Sequence, residues 1–230
     1  MPVLLDPVHA ATWLEEAEPQ EILRWAVVTM PRFAVSSSFG ADSAVLLHMV
    51  AELDPAMPVL FCDTGLHFDA TLAYRDELVR HLGLRDVCTL TPARSVQQQT
   101  REDGPSLWER DPDGCCARRK LAPLDEALGV FDGWASGVRR DQTLVRSVSP
   151  VVQAVRRGGR ELVKLAPLAR WRAADIEAYL TRHRLPRHPM VSAGYRSIGC
   201  QPCTRPVRTE QDPRAGRWSG TAKTECGLHL

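Results

Sequence analysis

The run RFAVSSSFGADS at residues 32–43 contains a short apolar segment, a turn of small residues and a polar start to the next segment. Residues 44–53 are mostly apolar, so the run predicts a β-strand, a tight loop and an α-helix. Such a loop exposes backbone N–H groups at the positive end of the helix dipole, which favours a bound anion. Capping of the helix by Asp42 or Ser43 is the alternative explanation. The run has neither the Gly-Lys-Ser/Thr of a Walker loop nor the dinucleotide fingerprint.

Strands and helices alternate along most of the remaining chain. From the apolar spacing we predict strands at residues 32–38, 58–62, 87–90, 134–138 and 162–165, and helices at 15–30, 44–53, 69–82 and 173–183. This alternation is typical of an α/β fold with a parallel sheet and helices on both faces. Ligands of such sheets bind beyond the carboxyl ends of the strands. We therefore expect a pocket formed by the loops at residues 36–40, 63–65 and 137–140.

The composition fits a folded protein of one domain. The 230 residues are 44% apolar, and 29 basic against 28 acidic side chains give a formal net charge of +1. This apolar fraction is too high for a disordered chain, and the balanced charge disfavours bulk binding to nucleic acid or membranes. We interpret residues 1–230 as one domain, with a helical segment at 1–30, an α/β core at 31–185 and an irregular region at 186–230. With no apolar run that could span a bilayer and no signal peptide evident, we expect a cytoplasmic protein.

Seven cysteines in a chain expected in the cytoplasm favour metal, cluster or redox chemistry over structural disulfides. Four of them form two close pairs, the adjacent Cys115 and Cys116 and the C-x-x-C pair of Cys200 and Cys203. Four cysteines are the usual ligands of a [4Fe–4S] cluster, in which neighbouring thiolates bind different irons. A structural zinc ion on four cysteines and two unrelated pairs are the alternatives.

The other three cysteines stand alone. Cys226 lies near the C-terminus with the basic residues Lys223 and His229 close to it. Because nearby cations lower the pKa of a thiol, it is either a reactive cysteine or an incidental surface thiol. Cys62 and Cys88 fall within predicted strands, where we expect them to act as small buried hydrophobic residues.

Basic residues cluster at residues 118–120, 137–142 and 212–218. Each segment taken alone is more often a solvated surface. Guanidinium groups match the oxygens of phosphate and sulfate, so several such segments near one sheet edge predict an anionic ligand. The histidines without ligand-like spacing are interpreted as surface or packing residues: His67, His183 and His188.

Seven motifs follow one another along the chain: SSFGADS at residues 37–43, DTG at 63–65, CCARRK at 115–120, GVRRDQ at 137–142, IGCQPCTRP at 198–206, DPRAGRW at 212–218 and ECGLH at 225–229. In this order they resemble the assimilatory sulfonucleotide reductases. The cysteine set is similar to that of the bacterial iron–sulfur adenosine 5′-phosphosulfate (APS) reductases. The first loop also resembles the modified pyrophosphate loop of the adenine-nucleotide α-hydrolase-like superfamily, with a glycine lost relative to ATP pyrophosphatases. That loss fits a smaller anion than a polyphosphate.

This resemblance implies a Rossmann-like fold, one [4Fe–4S] cluster and reduction of APS to sulfite and AMP, with thioredoxin or glutaredoxin as reductant. It implies that Cys226 is the nucleophile and forms an S-sulfocysteine. The implied cluster ligands are Cys115, Cys116, Cys200 and Cys203. The implied substrate-binding residues are Ser36, Ser37, Ser38, Phe39, Gly40, Asp42, Ser43, Arg119, Lys120, Gly137, Arg139, Arg140, Arg214, Arg217 and His229.

Electron counting points to a partner protein. Reduction of sulfate to sulfite takes two electrons, which two thiols supply by forming a disulfide. With four cysteines on a cluster and Cys62 and Cys88 buried, Cys226 has no partner in the chain, so we expect the second thiol from another protein. We expect neither a nucleic-acid nor a membrane partner, and leave self-association open. Alternative functions are reduction of the 3′-phosphorylated substrate PAPS or of both substrates, a tRNA-modifying ATPase with a related loop, and a metal-stabilised binding protein without turnover.

Overall fold

The structure is a computed structural model that describes residues 7–228. Its strands are β1 (Phe33–Ser36), β2 (Val59–Cys62), β3 (Val87–Leu90), β4 (Gly133–Ser136), β5 (Val152–Arg157) and β6 (Arg160–Leu165). Its helices are α1 (Pro7–Leu14), α2 (Pro19–Thr29), α3 (Ser43–Leu53), α4 (Asp69–Leu82), α5 (Val96–Asp103), α6 (Leu107–Arg110), α7 (Pro112–Cys116), α8 (Ala122–Leu128) and α9 (Ala173–Arg182). A π-helix, Ala117–Leu121, connects α7 to α8.

These strands form one sheet in the order β3-β2-β1-β4-β6-β5. The strand β1 pairs in parallel with β2 and with β4, so that Val35 is in register with Val59 and Ala34 with Trp134. β3 and β6 extend the parallel pairing on either side, and β5 is antiparallel to β6. The carboxyl ends of β1, β2 and β4 therefore lie side by side at one edge.

Helices cover both faces of the sheet, as the strand pattern predicts. Side chains alternate along β1, so Phe33 and Val35 enter a large core with α1, α2, α3, α4 and α9. Ala34 points to the other face and belongs to a smaller core with Trp134 and with Leu124 of α8. Full burial of a large apolar side chain contributes about 1.5–3 kcal/mol, so the two cores fix the sheet between its helices. The predicted α/β fold is confirmed.

The N-terminal helix differs from the prediction. The apolar spacing predicts one helix at residues 15–30, whereas α1 ends at Leu14 and α2 begins at Pro19. Proline is tolerated in the first turn of a helix but not in its interior. Glu18 and Glu21 form a capping box that satisfies backbone N–H groups at this new start. The prediction began α2 four residues too early because it read residues 15–18 as helix, and it missed α1 altogether.

A second difference is the hairpin of β5 and β6, so the sheet is not wholly parallel as predicted. Gly158 and Gly159 close its turn with positive φ angles of 55° and 77°. A two-residue turn of this kind needs such angles, and Gly-Gly between β-compatible segments is its usual signal. The sequence prediction used β6 alone and missed β5. It also missed the short helices between residues 96 and 128.

Residues 186–228 follow the predicted irregular course. Their regular structure consists of two 3₁₀ turns, Pro189–Val191 and Gln201–Cys203, and one isolated bridge between Thr204 and Arg217. The division of the chain at residues 30 and 185 stays a prediction. None of the helices within residues 7–228 is long and apolar enough to cross a membrane.

Candidate active site

A cavity of about 220 Å³ opens at the carboxyl ends of β1, β2 and β4. Residues of two predicted loops, 36–40 and 137–140, line it, whereas residues 63–65 do not. Cys62 and His67, on either side of that third loop, line the cavity in its place. The predicted site residues that line it are Ser36, Ser37, Ser38, Gly40, Asp42, Ser43, Lys120, Gly137, Arg139, Arg214, Arg217 and Cys226.

The loop after β1 wraps closely around the cavity. A side chain at Gly40 would place its Cβ 3.3 Å from the carbonyl oxygen of Ile198, so glycine lets the loop pass beside the C-terminal region. Phe39 has a φ of 46°, a strained angle for a residue other than glycine. Its ring is fully buried and packs edge-to-face on Phe61 at 5.4 Å. Phe39 therefore anchors the loop from behind and leaves its polar side open.

Asp42 bonds with an arginine across the cavity and does not cap α3 with its side chain. Its Oδ2 accepts a hydrogen bond from Arg139 Nη1 at 2.5 Å. Arg139 is buried and also donates from Nε to Asp141 Oδ1 at 2.9 Å. The two carboxylates raise the pKa of Arg139 above its ordinary value although burial opposes this. The pairing joins the first loop to the loop after β4.

Two arginines of the C-terminal region bring positive charge to the cavity, and Glu225 Oε2 lies 3.3 Å from Nη2 of one of them, Arg214. Arg214 Nη1 and Arg217 Nη1 lie 3.5 and 3.4 Å from Ser197 Oγ. The Nε atoms of both arginines are buried and have no hydrogen-bond partner among residues 7–228. Burial and the nearby Arg146 lower the pKa of Arg214 to about 10, so the group stays charged near neutral pH. Desolvated cations with open donors favour an anionic ligand.

Cys226 lies at this cavity in a setting that favours its thiolate. It is 8% exposed and packs against Cys116 and Trp218. Burial alone raises the pKa of a thiol, but Lys120, the Leu228 N–H and Arg217 outweigh it. The pKa of Cys226 therefore lies below its ordinary value. A buried thiolate beside cations is a strong nucleophile.

The two cysteine pairs meet in a second, smaller cavity. Cys115 and Cys116 come from the end of α7, and Cys200 and Cys203 come from the turn Gln201–Cys203 and the residue before it. Burial raises the pKa of Cys116 to about 11 and that of Cys203 to about 12. As free thiols they are protonated near neutral pH, so thiolates there require the positive charge of a metal. Within residues 7–228, no three His, Cys, Asp or Glu side chains are arranged around a single metal ion.

Lys120 lies between the two cavities. It is buried in the π-helix that follows Cys116, and it lines both the large cavity and the cysteine cavity. Burial opposes its charge, but the surrounding cysteines raise its pKa above the ordinary value. A single π-turn inside a run of helix is frequent at functional sites. Here it leaves two consecutive basic side chains, Arg119 and Lys120, buried.

Comparison with known proteins identifies the family of this chain. Residues 32–206 match the phosphoadenosine phosphosulfate reductase domain. The chain belongs to this family. It is 45% identical to the adenosine 5′-phosphosulfate reductase of Streptomyces coelicolor over 222 residues, 96% of this chain and 92% of that protein. It is 41% identical to the phosphoadenosine 5′-phosphosulfate reductase of Gloeobacter violaceus over 224 residues, again 96% and 92%. The crystal structure of phosphoadenylyl-sulfate (PAPS) reductase from Candida auris, a phosphate complex, superposes with a TM-score of 0.75 at 28% identity, covering 86% of this chain and 96% of that one.

Three residues that the family resemblance implies as substrate ligands do not line the large cavity. Phe39 packs behind its loop. Arg119 lines the cysteine cavity, and its Nε donates to Thr64 O at 2.6 Å and its Nη1 to Gln99 Oε1 at 2.9 Å. Arg140 donates from Nε to Ser149 O at 2.8 Å and pairs through Nη1 with Glu15, directly after α1, at 2.5 Å. The guanidinium groups of Arg119 and Arg140 are thus hydrogen-bonded within the fold. His229 lies outside the described residues.

Two residues that the sequence interpretation set aside do line the large cavity. Cys62 is half-buried: it packs against the smaller core and also lines the cavity, and burial raises its pKa to about 12. The ring of His67 lies 5.1 Å from that of Phe61, and its Nε2 lies 3.0 Å from the carbonyl oxygen of Cys62. His67 Nδ1 is buried and has no partner within residues 7–228, so it can accept a hydrogen bond from a ligand. The other solitary cysteine, Cys88, is also half-buried.

Proposed function

We propose that the protein reduces APS to sulfite and AMP, with Cys226 as the nucleophile and a thioredoxin-type dithiol protein as the reductant. One observation carries the proposal: the large cavity brings together the loop at residues 36–43 after β1, here called the anion loop, the cations Lys120, Arg214 and Arg217, and the thiol of Cys226. Membership of the reductase family and the relatives named APS reductase support the substrate.

The first step transfers the sulfonate group to the enzyme. The Cys226 thiolate attacks the sulfur of APS, an S–S bond forms, and the bond between sulfur and the bridging phosphate oxygen breaks. That electron pair leaves with AMP. The anionic oxygens around the sulfur repel a thiolate, so we assign Lys120, Arg214 and Arg217 to neutralise them and the charge that develops on AMP. The loop containing Ser37, Ser38 and Gly40 would bind the nucleotide phosphate.

The second step releases sulfite. A thiolate of the reductant attacks Cys226 Sγ, the S–S bond to the sulfonate breaks and its electron pair leaves with sulfite. The second thiol of the reductant then displaces Cys226, which returns as a thiolate. The dithiol is oxidised to a disulfide by two electrons, and sulfur goes from the sulfate to the sulfite level. We place the reaction in the cytoplasm, where dithiols are kept reduced.

The cysteine cavity fits a [4Fe–4S] cluster. Three of its thiols are buried and that of Cys203 is half-buried, and iron would hold all four as thiolates. The proposed ligands are Cys115, Cys116, Cys200 and Cys203. Each thiolate of such a cluster binds a different iron, so the site does not need three side chains around one ion. When bound, the cluster would supply a polarising charge next to Lys120. The proposed steps assign it no electron transfer.

The PAPS reductase activity is a second candidate, because a relative of that name is 41% identical over 96% of this chain. A PAPS reductase must accommodate a 3′-phosphate as well as the phosphosulfate. The ratio of kcat/KM for APS and PAPS decides between them. We expect APS to be preferred, and a preference for PAPS would overturn the substrate assignment.

The deciding experiment follows ³⁵S from APS into the protein under anaerobic conditions. The parent protein should become labelled, and reduced thioredoxin should release the label as sulfite. Cys226→Ser should show no label, whereas the matched control Cys88→Ser, at a half-buried thiol of β3, should be labelled like the parent. Label on the Cys226→Ser protein would refute the nucleophile. An iron assay should find about four irons per chain, and one zinc without iron would refute the cluster.

A further inference from the structure

Glu225, directly before Cys226, is bound by four donor groups. Its Oε1 accepts hydrogen bonds from Arg146 Nε at 2.8 Å and from Thr143 Oγ1 at 3.2 Å. Its Oε2 accepts from Arg146 Nη2 at 2.6 Å and from Arg214 Nη2 at 3.3 Å. The pairing with Arg146 is bidentate, the geometry that makes an arginine–carboxylate pair most directional. The residue next to the nucleophile is therefore more tightly bound than the nucleophile itself.

This ion pair is buried on both sides. The side chains of Arg146 and Glu225 are 7% and 4% exposed. Removing one partner of such a pair leaves an uncompensated buried charge, which is strongly unfavourable. Burial alone raises the pKa of Glu225, but Arg146 outweighs it, so the carboxylate stays ionised and the pair intact near neutral pH. An exposed pair of the same length would contribute little.

The pair also connects Cys226 to the anion loop. Arg146 Nη1 donates to Gln142 Oε1 at 2.5 Å, and the backbone N–H of Arg139 donates to the same oxygen at 3.1 Å. The side chain of Arg139 then reaches Asp42 at 2.5 Å, at the start of α3. A continuous series of hydrogen bonds thus runs from the first loop to the residue before the nucleophile. Gln142 and Arg146 line the cavity as well.

We infer that Glu225 is a positioning residue, whose ion pair with Arg146 seats Cys226 in the substrate cavity and must open before a partner protein reaches the thiol. The inference rests on the proposed role of Cys226. The need for opening follows from burial, because Cys226 is only 8% exposed and its thiol is therefore closed to the thiolate of a second protein. The pair therefore favours the sulfonate-transfer step and opposes the reductive step.

The test measures the alkylation of Cys226 by iodoacetamide, without substrate, in the anaerobically purified protein. Peptide mass spectrometry reports Cys226 and, as an internal reference, Cys88. Glu225→Gln should raise the rate at Cys226 relative to Cys88 by about ten- to a hundredfold, the loss of one charge-assisted hydrogen bond. Thr143→Val, which removes a neutral donor, should raise it by about two- to tenfold. This readout does not depend on APS turnover, so a failure of the inference can be distinguished from a failure of the proposed function.

The control carboxylate is Asp132, which Arg32 also binds through two nitrogens, with Nη2–Oδ1 at 2.6 Å, away from the cavity. Asp132→Asn should leave the Cys226-to-Cys88 ratio unchanged. With ³⁵S-APS, Glu225→Gln should slow labelling while thioredoxin-dependent release is as fast as in the parent or faster. An unchanged Cys226 rate, or a parallel rise at Cys88, would overturn the inference. If Glu225→Gln does not fold, an unchanged Cys226-to-Cys88 ratio in Thr143→Val would also overturn the inference.

Discussion

Replacing Gly227 with alanine tests whether the backbone after Cys226 sets the position of the nucleophile. Gly227 has a φ of 83°, and a Cβ built there lies 3.1 Å from Cδ1 of Leu121, in the π-helix. An L-residue in this left-handed region costs about 1–2 kcal/mol. The close contact adds to this cost, because Leu121 must move by a few tenths of an ångström.

This strain is relieved when the backbone relaxes and moves Cys226 away from its seat. Returning the thiol to the reactive geometry then adds about 1–2 kcal/mol to the barrier, a five- to thirtyfold slower sulfonate transfer. The assay is single-turnover labelling with ³⁵S-APS at saturating concentration, which isolates this step from reduction. Gly227→Ala should reach the same final labelling as the parent at this lower rate.

The matched control is Gly220→Ala in the same C-terminal region. Gly220 has a φ of 85°, almost that of Gly227, but a Cβ there meets nothing within 4 Å. It carries the same backbone strain without displacing Cys226, so its labelling rate should match the parent's. If Gly227→Ala were labelled at the same rate as the parent, the reasoning would be refuted. An equal loss in both variants would show that strain anywhere in the region suffices.

Three further perturbations follow from the structure. Burial lowers the pKa of His188 from 6.5 to about 4. Above pH 6.5 the ring is neutral in the folded and the unfolded chain, so the neutral ring makes its full contribution to the free energy of unfolding. About 3 kcal/mol of it is lost between pH 6.5 and 4, as the unfolded chain takes up the proton first. Denaturant titrations should show this loss in the parent and not in His188→Gln. Arg139→Ala removes the cation bound to Asp42 at 2.5 Å, so the KM for APS should rise about tenfold or more, and an unchanged KM would contradict it. Cys203→Ser should reduce bound iron below about four per chain in a colorimetric assay, and full iron content would exclude its sulfur as a ligand.

The parts of the fold that the sequence predicted are those with local patterns. β3 and α4 agree to the residue with the predicted Val87–Leu90 and Asp69–Leu82, because apolar spacing within one element is enough to identify it. The pocket was also predictable, since strand ends of a parallel sheet meet at one edge. The hairpin of β5 had a signal, Gly158-Gly159, that the prediction did not use. The meeting of the two cysteine pairs came from the family resemblance, because spacing alone left zinc and unrelated pairs open.

The contacts that the sequence did not predict join distant parts of the chain. Arg146 and Glu225 are 79 positions apart, and neither stands in a pattern that indicates the other. His67 is a second residue whose place the sequence did not predict. A single histidine without ligand-like spacing is usually a packing residue, and only the tertiary structure shows its unpartnered Nδ1 at the cavity. Arg119 has the charge and the place in the motif of a ligand, but it is engaged with Thr64 and Gln99.

The proposed reaction needs an anion site and an attacking thiol, and these lie on two different kinds of segment. The anion loop and Arg139 are attached to strands with buried faces, which keeps their positions fixed. The segment with Cys226 is held instead by side chains, through Lys223 on Asp113, Arg214 on the Thr224 carbonyl oxygen and the Glu225 pair. Such side-chain contacts can break a few at a time while the fold stays intact, whereas a strand could move only by losing its pairing in the sheet. A thiol that must react first with a buried anion and then with a second protein therefore belongs on such a segment rather than on the sheet.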